Sequence, residues 1–492
     1  MIGIRDYGSY IPAMRLARAE IIRAWQQKAL AQVMVGERAV ANYDEDSLTM
    51  AAEAALDCLA VTDPATVDGL YFASTTAPYR EKLSASLIAT VAHLGPNAVT
   101  ADFGNSLRAG TGALRAALDA ARAGRQVVVT AADTRVVEPG HHMEHVMGAG
   151  AAALLVGEGE EDDVLCAIEE SFAFTHEFTD TWRRAGDEFL RFGDEGFSAR
   201  YGYFHCVQAA IQGILQKATL SPDEITTIVC YAPEARSFTA LAKRSGLDNL
   251  YTDPMLLMNV GNTGASFPLL MLAAVLDQAA PGDRILWVSY GDGSDAFLLR
   301  VTEALARRRD QEARRTVAGW VASKRTLPNY ESYLKVSDLV KSRAGLWGFS
   351  PFTSIPMLWR ETAQNLQLMA RRCNQCGRVI YPVRRVCPQC RAKDDATPCQ
   401  LRRRGTVASF TVDHVFPSPI PPTTLVVVDL DSPRSAADQG GGRILTPLTD
   451  CDPGEAEIGM PVELTLRKFH EGRGFNNYYW KARPVRGVER KT

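Results

Sequence analysis

From Met1 to about Leu305 the chain alternates short apolar runs with alanine-rich stretches of helical spacing. The runs GLYFAS, QVVVTAAD, AAALLVG, TIVCYA and RILWVSYGDG carry apolar residues at successive positions rather than at every second one, the mark of strands covered on both faces. Between them, SLIATVAHL and AGTGALRAALDAARAG place apolar residues at helical intervals. Two periods in regular alternation predict a layered α/β fold with buried strands. The charged run ALARRRDQEARR then predicts a solvated helix face near a domain edge, and the stretch from YESYLKV to LMARRC predicts a helical, aromatic-bearing connector.

The pattern changes at Cys373. RRCNQCGRVIYPVRRVCPQC contains two CxxC pairs, Cys373/Cys376 and Cys387/Cys390, with ten residues between them. Each pair makes a tight turn that aims two thiolates at one point, and an excursion of that length returns the second pair to complete a tetrahedron. The pattern predicts a structural zinc site whose four thiolates close the coordination sphere and leave no place for a reactive water. After it, RRRGTVASFTVDHVF, TTLVVVDLD, GGRILTPLTD, MPVELTLRKF and YYWKARPV are strand-like segments broken by Gly, Pro and Asp, as expected of a small OB-type barrel. Arg402, Arg403, Arg404, Tyr478, Tyr479 and Trp480 have the composition of a single-strand binding groove, and equally that of barrel packing with exposed charge.

Composition narrows the function. The 492 residues carry a formal net charge of −3, so no global attraction to nucleic acid or anionic lipid is implied, and neither partner is expected. No unbroken apolar run of signal or membrane-spanning type occurs, which predicts a cytoplasmic protein. Four of the ten cysteines form the one cluster and the other six are scattered, a usage that fits metal binding plus reduced core thiols.

The stretches GIRDYGSYIP, YDEDSLTMAAEAA, APYREK, TADF, RAGTGAL, ADTRVVEPG, DTWRR, RFG, VGNTGAS and VSYGDGSDAF give residues 1 to about 335 a resemblance to the 3-hydroxy-3-methylglutaryl-CoA synthase branch of the thiolase superfamily. The remainder, about 336–492, resembles the zinc-ribbon and OB-fold protein that accompanies thiolase-like enzymes on acyl-CoA substrates. The resemblance implies a duplicated, layered α/β/α/β/α core, a homodimer through that core, and a site at the inner ends of its two halves. It divides the chain into thiolase-like halves at 1–165 and 166–335, a helical connector at 336–370, a rubredoxin-like ribbon at 371–395 and a barrel at 396–492.

Carried over by position, the family's catalytic set is missing. Its acyl-accepting cysteine falls on Leu107, its glutamate acid/base on Thr75 and its histidine on Tyr231. Asn262, beside the thioester oxygen in the family, is retained, as are Ser294 and Asp295 in a shortened loop. Leucine cannot form a thioester and threonine has no accessible pKa for proton shuttling, so the covalent synthase route is excluded. Ser106 lies one residue off the frame, and Cys206 and Cys230 read as buried thiols, so none replaces the nucleophile.

Tyr231 with Asn262 is the remaining pair able to polarise a thioester and move a proton. His205 and the group His141, His142 and His145 are further candidates, or satisfied histidines. Lys243 and Arg244 match the family's phosphate-side helix and are expected at the nucleotide end of CoA, or on a solvated helix face. Cysteine-less thiolase-fold aldolases of steroid side-chain breakdown, which work with a similar ribbon and barrel, raise the aldolase expectation. Two functions fit the pattern. One is a carbon-carbon lyase or synthase acting on acyl-CoA without covalent catalysis, alongside a hydratase. The other is a non-catalytic scaffold that docks on an active thiolase-like partner and holds CoA.

Overall fold

The computed structural model describes residues 1–30, 34–245, 247, 255–311, 315–340, 353–415, 418–431 and 441–486. They divide into two compact units, one of Met1–Ala41 with Asp46–Tyr333, the other of Asn42–Glu45 with Leu334–Thr492.

In the first unit, nine strands make one sheet: β1 (Ile2–Tyr10), β2 (Gly69–Ala73), β3 (Val99–Phe103), β4 (Val127–Thr134), β5 (Ala149–Glu158), β6 (Cys166–Thr175), β7 (Thr227–Cys230), β8 (Arg284–Tyr290) and β9 (Gly293–Val301). Their order is β7-β8-β9-β6-β1-β5-β4-β2-β3. Outward from the centre, β1-β5-β4-β2 and β6-β9-β8-β7 follow the same path: antiparallel, antiparallel, then parallel. The duplication implied by the resemblance is therefore visible in the strand order. The halves meet where Gly3 and Ile4 pair with Ala167 and Cys166. Val127, Val128, Val129, Ile228, Val229 and Ile285 are buried, as their runs of successive apolar positions require.

The helices show the same logic. Phe267–Leu276 is almost entirely apolar and packs against β5 of the first half and β7 and β8 of the second, which leaves it no solvent face. Pro268 sits in its first turn, where the missing N–H costs nothing. Ala109–Arg122 is amphipathic and packs against β4 and β5. Asp46 caps Ser47–Cys58 in a reciprocal arrangement with Thr49.

Two expectations need correction. Glu303–Gln311 is a helix, but Arg308 is not a solvated residue, because it forms an ion pair at 3.2 Å with the buried Asp6. The connector is not helical to its end. Helices Ile355–Arg360 and Thr362–Gln367 stop at Leu368, which adopts a left-handed conformation, and Met369–Cys373 then runs as a strand against Ala396–Gln400. Residues 341–352 of the connector lie outside the described residues.

In the second unit, a three-stranded ribbon precedes a five-stranded sheet of Arg443–Pro447, Thr423–Leu430, Arg404–Asp413, Pro461–Gly472 and Phe475–Pro484, in that order. The sheet curls so that its edge strands meet, with Leu448 bridged to Ala482 and the Thr446 hydroxyl donating to the Trp480 carbonyl. Tyr478 and Trp480 are buried inside, so their rings are packing rather than an exposed stacking platform. Arg467 and Lys481 are buried as well. They are matched by carboxylates, Arg467 donating to Asp450 at 2.6 Å and Lys481 to Asp44 at 2.9 Å.

Candidate functional site

Two loops at strand ends and one between helices of the first unit bring the predicted positions together. After β2 the chain turns through Ser74, Thr75 and Thr76; after β7 it presents Tyr231; and Gly261 to Ser266 lead into the apolar helix. Asp133, near the end of β4, ties the first of these loops to the third. Its carboxylate accepts from the hydroxyls of Ser74 (2.9 Å), Thr75 (3.0 Å) and Thr76 (2.9 Å) and from the amides of Thr75 (2.7 Å) and Ala265 (2.8 Å). Gly264 must be glycine here. Its φ is 65°, and an added Cβ would fall 2.3 Å from the Asp133 carboxylate.

The predicted pair Tyr231 and Asn262 does assemble. Asn262 Nδ2 donates to the Tyr231 hydroxyl at 2.9 Å and to the Pro233 carbonyl at 3.3 Å, while its Oδ1 accepts the Gly264 amide at 2.9 Å. The Gly264 contact orients the side-chain amide, so the phenol oxygen acts as acceptor and its proton is left without an acceptor among the described residues. Burial raises the Tyr231 pKa, and nearby Arg135 works in the opposite direction.

Leu107 stands just before the helix Ala109–Arg122, against the turn at Gly291. A Cβ on that glycine would lie 2.9 Å from the Leu107 Cβ. The hydroxyl and thiol groups weighed as alternatives to a nucleophile at Leu107 are engaged or protonated. Ser106 donates to Asp292 at 2.7 Å. Burial pushes the Cys206 thiol to about 11 and the Cys230 thiol to about 12, so both stay protonated at neutral pH. Ser294 donates to the Ser289 carbonyl. Asp295 accepts from Thr111 at 2.7 Å and Arg115 at 3.1 Å, which braces the start of the helix.

The histidines separate into distinct environments. His141 stacks on Phe192 at 5.0 Å, and His142 pairs with Glu195. His145 is wholly buried against Gln27 at 2.7 Å, its pKa lowered to about 4 by burial and by Arg18 and Arg38. His205 lies edge-on to Phe174 and His176. None of the four is hydrogen-bonded to Tyr231 or Asn262. Lys243 and Arg244 are exposed on the helix Ala235–Ser245, and the Arg244 guanidinium lies 4.3 Å above the Phe204 ring.

Sequence reasoning missed three residues of this site. Tyr290, at the end of β8, stacks against Tyr231 at a centroid distance of 6.3 Å and donates its hydroxyl to Asp180 at 2.7 Å. Burial pushes the Asp180 carboxyl above the usual range, and burial beside Asp180 also raises the Tyr290 phenol. The third is Arg135, two residues beyond Asp133 and 5% exposed. The stretches DTWRR, VSYGDG and ADTR containing them were legible, but no spacing rule singles out a tyrosine that meets an aspartate 110 residues away.

In the second unit the four cysteine ligand atoms all lie within 4.8 Å of one another. Cys373 and Cys390 are 3.5 Å apart, Cys376 and Cys387 3.6 Å, too far for disulfides. Four thiolates at about 2.3 Å from a zinc ion would stand roughly 3.8 Å apart, so the donor set fits a tetrahedral metal. Amide N–H groups of Cys390 and Gln389 help lower the Cys387 pKa to about 6, toward the thiolate such a metal binds.

Comparison with known proteins places each part. Residues 360–396 match the family model of the ChsH2 rubredoxin-like zinc ribbon and residues 400–467 that of the ChsH2 C-terminal OB-fold domain. Residues 215–300 match the C-terminal domain of 3-oxoacyl-[acyl-carrier-protein] synthase III. Hydroxymethylglutaryl-CoA synthase of Thermococcus sibiricus is 36% identical over 316 residues, 63% of this chain and 89% of that protein. The Methanothermobacter thermautotrophicus synthase is 34% identical over 345 residues, 68% and 98%. Among solved structures, an HMG-CoA synthase complexed with CoA superposes with a TM-score of 0.61 at 18% identity, over 68% of this chain and 90% of that one. The curacin-pathway HMG synthase with holo donor acyl-carrier protein also reaches 0.61, at 19% identity over 81% and 100%. Among the described residues no helix is long and apolar enough to cross a membrane. The chain belongs to the hydroxymethylglutaryl-CoA synthase family of the thiolase superfamily, and it carries ChsH2-type zinc-ribbon and OB-fold domains in the same polypeptide.

Proposed function

We propose that this protein is a non-covalent carbon-carbon lyase or synthase of the aldolase type, acting on β-hydroxyacyl-CoA thioesters. The observation that carries the reading is the Asn262 to Tyr231 hydrogen bond, which leaves the phenol proton free to bond a thioester oxygen. In the cleavage direction the β-hydroxyl proton passes to the Tyr290 oxygen as the Tyr290 proton passes to Asp180. The Cα–Cβ bond breaks, and its electron pair enters the thioester enolate held by Tyr231. The proton on Asp180 returns through Tyr290 to Cα, releasing a shortened acyl-CoA and an aldehyde or ketone. Tyr290 is the relay because its raised pKa keeps it protonated. Asp180, raised by burial, is the proton store.

Within this reading Lys243 and Arg244 meet the nucleotide end of CoA, the core is a homodimer, and Cys373, Cys376, Cys387 and Cys390 hold a structural zinc. A second reading, a scaffold that binds CoA for an active thiolase-like partner, is favoured by Thr75, whose hydroxyl is committed to Asp133.

The two are separated by incubating the purified chain, alone and with a co-purifying thiolase-like protein, with β-hydroxyacyl-CoAs, following products by mass. Activity of the isolated chain that falls about 10²- to 10⁴-fold in Tyr231→Phe, with CoA-thioester binding retained, supports the lyase. Activity that needs the partner and ignores Tyr231→Phe supports the scaffold. Under both readings intact mass after acetyl-CoA shows no acetyl adduct, a gain of about 42 Da, because Leu107 cannot carry one.

A further inference from the structure

Arg135 is the least explained charge in the first unit. It is 5% exposed, and among the described residues its guanidinium makes no hydrogen bond and no ion pair. Its Nε is buried and unpartnered. A buried guanidinium ordinarily binds carboxylates or carbonyls with its five donors, because leaving them unmet costs free energy. The neighbouring carboxylates do not serve it. Asp133 is occupied by five donors of its own, and Asp180 accepts from Tyr290.

The position is specific. The Cβ that Gly264 lacks would fall 2.8 Å from the Arg135 Cδ, so the side chain runs past the loop that holds Asn262. Its charge is felt at Tyr231, at Asp180 and at Arg183, whose Nη2 donates to the Thr75 carbonyl. Thr75, Leu107 and Arg183 are half-buried, whereas Arg135, Tyr231 and Asn262 are buried. Arg135 therefore lies beside the loop that holds Asn262, with its charge acting on Tyr231, among the residues that the proposed function assigns to chemistry.

We propose that Arg135 is the anion-binding residue of this site, pairing with a negatively charged oxygen of a bound thioester. Two sources share that chemistry. One is a carboxylate at the far end of the acyl chain, present before any reaction. The other is the thioester enolate formed when the bond to Cα breaks. The inference rests on the proposed function, in which these residues bind acyl-CoA, but its first arm needs no turnover.

The test uses the full chain and Arg135→Met, with Arg135→Lys as the charge-retaining variant. Calorimetry compares malonyl-, succinyl- and glutaryl-CoA with acetyl-, propionyl- and butyryl-CoA. If the anion is a carboxylate, Arg135→Met weakens one of the acidic thioesters on the order of 10- to 100-fold and leaves the neutral ones unchanged, with partial recovery in Arg135→Lys. If it is the enolate, both series bind as before, and exchange of the propionyl-CoA α-proton with D2O slows by a similar factor. In both cases the ligand-free Arg135→Met protein melts no lower than the parent, because it loses a charge that had no partner. Lower melting with thioester binding and α-exchange both unchanged would make Arg135 a structural residue and overturn the proposal. A protein that binds acidic thioesters through Arg135 but cleaves nothing would overturn only the lyase.

Discussion

Asp133 and Arg135 stand two residues apart, yet the fold treats them in opposite ways. The carboxylate is surrounded by five donors; the guanidinium has donors to spare and, among the described residues, no acceptor. Thr75, which the resemblance sets at the family's glutamate position, belongs to the first group because its hydroxyl completes the Asp133 cluster. Tyr231, which the resemblance sets at the histidine position, belongs to the second because its proton has no acceptor among the described residues. One group has its polar capacity spent inside the fold, and the other has capacity that a ligand could use. Closed groups should govern stability, and open groups should govern binding and turnover.

The four cysteines are the extreme closed case and give the largest expected effect. Cys376→Ser combined with Cys390→Ser should abolish stoichiometric zinc and unfold the ribbon, read by metal analysis and by protease cleavage between residues 369 and 400, while the first unit keeps its melting transition. Zinc retained at one per chain would refute the ligand assignment. Next comes Tyr290, whose hydroxyl is donated to Asp180 and which the proposed function makes a proton relay. Replacing it with Phe removes the relay to Asp180, and turnover should fall on the order of 10²-fold with little change in thioester affinity. A proportional loss of affinity would mean instead that Tyr290 only holds the loop around Asp180.

How legible all this was in the sequence follows the same division. The thiol cluster was readable because two CxxC turns impose their geometry locally. The buried strands were readable because apolar runs need no knowledge of partners. Tyr231 and Asn262 were found only by positional resemblance, since 31 residues separate them. Asp180, Tyr290 and Arg135 escaped notice because their significance is relational. Tyr290 is notable because a distant aspartate meets it, and Arg135 because it has no acceptor among the described residues. The connector was misread near its end for a related reason. LMARRC has helix-compatible residues, but pairing with Ala396–Gln400 decides its conformation.

A smaller effect is expected at Asp133, on the closed side. Asp133→Asn puts an amide N–H₂ where one carboxylate oxygen accepts, so either the Thr75 hydroxyl with the Ala265 amide, or the Ser74 and Thr76 hydroxyls with the Thr75 amide, face a donor. With unsatisfied buried donors costing about 1–3 kcal/mol each, a loss of about 3 kcal/mol in urea unfolding is expected. Arg135→Met should lose nothing by the same measure, and equal losses in the two variants would erase the distinction drawn between them.

The smallest expected effect is a pH dependence confined to stability. His145 has its Nε2 on Gln27 and its Nδ1 buried with no hydrogen-bond partner among the described residues, and its folded pKa lies near 4, below the ordinary 6.5. A histidine depressed in this way favours the folded state as the neutral ring. Its contribution is complete above about pH 6.5, because both states are then neutral, and it declines as pH falls and the unfolded chain takes up a proton that the folded protein refuses. It is fully lost below about pH 4, where both are charged. The difference amounts to roughly 2 kcal/mol once partial solvent screening is allowed for. Urea unfolding of the parent and of His145→Gln between pH 4 and 7 should show a slope in the parent that the variant flattens. Because His145 has no hydrogen bond to Tyr231 or Asn262, the turnover proposed for the folded protein should keep the same pH profile in both. A shifted profile in His145→Gln would place this histidine among the groups that act on substrate, and the separation of closed from open residues would have to be redrawn around it.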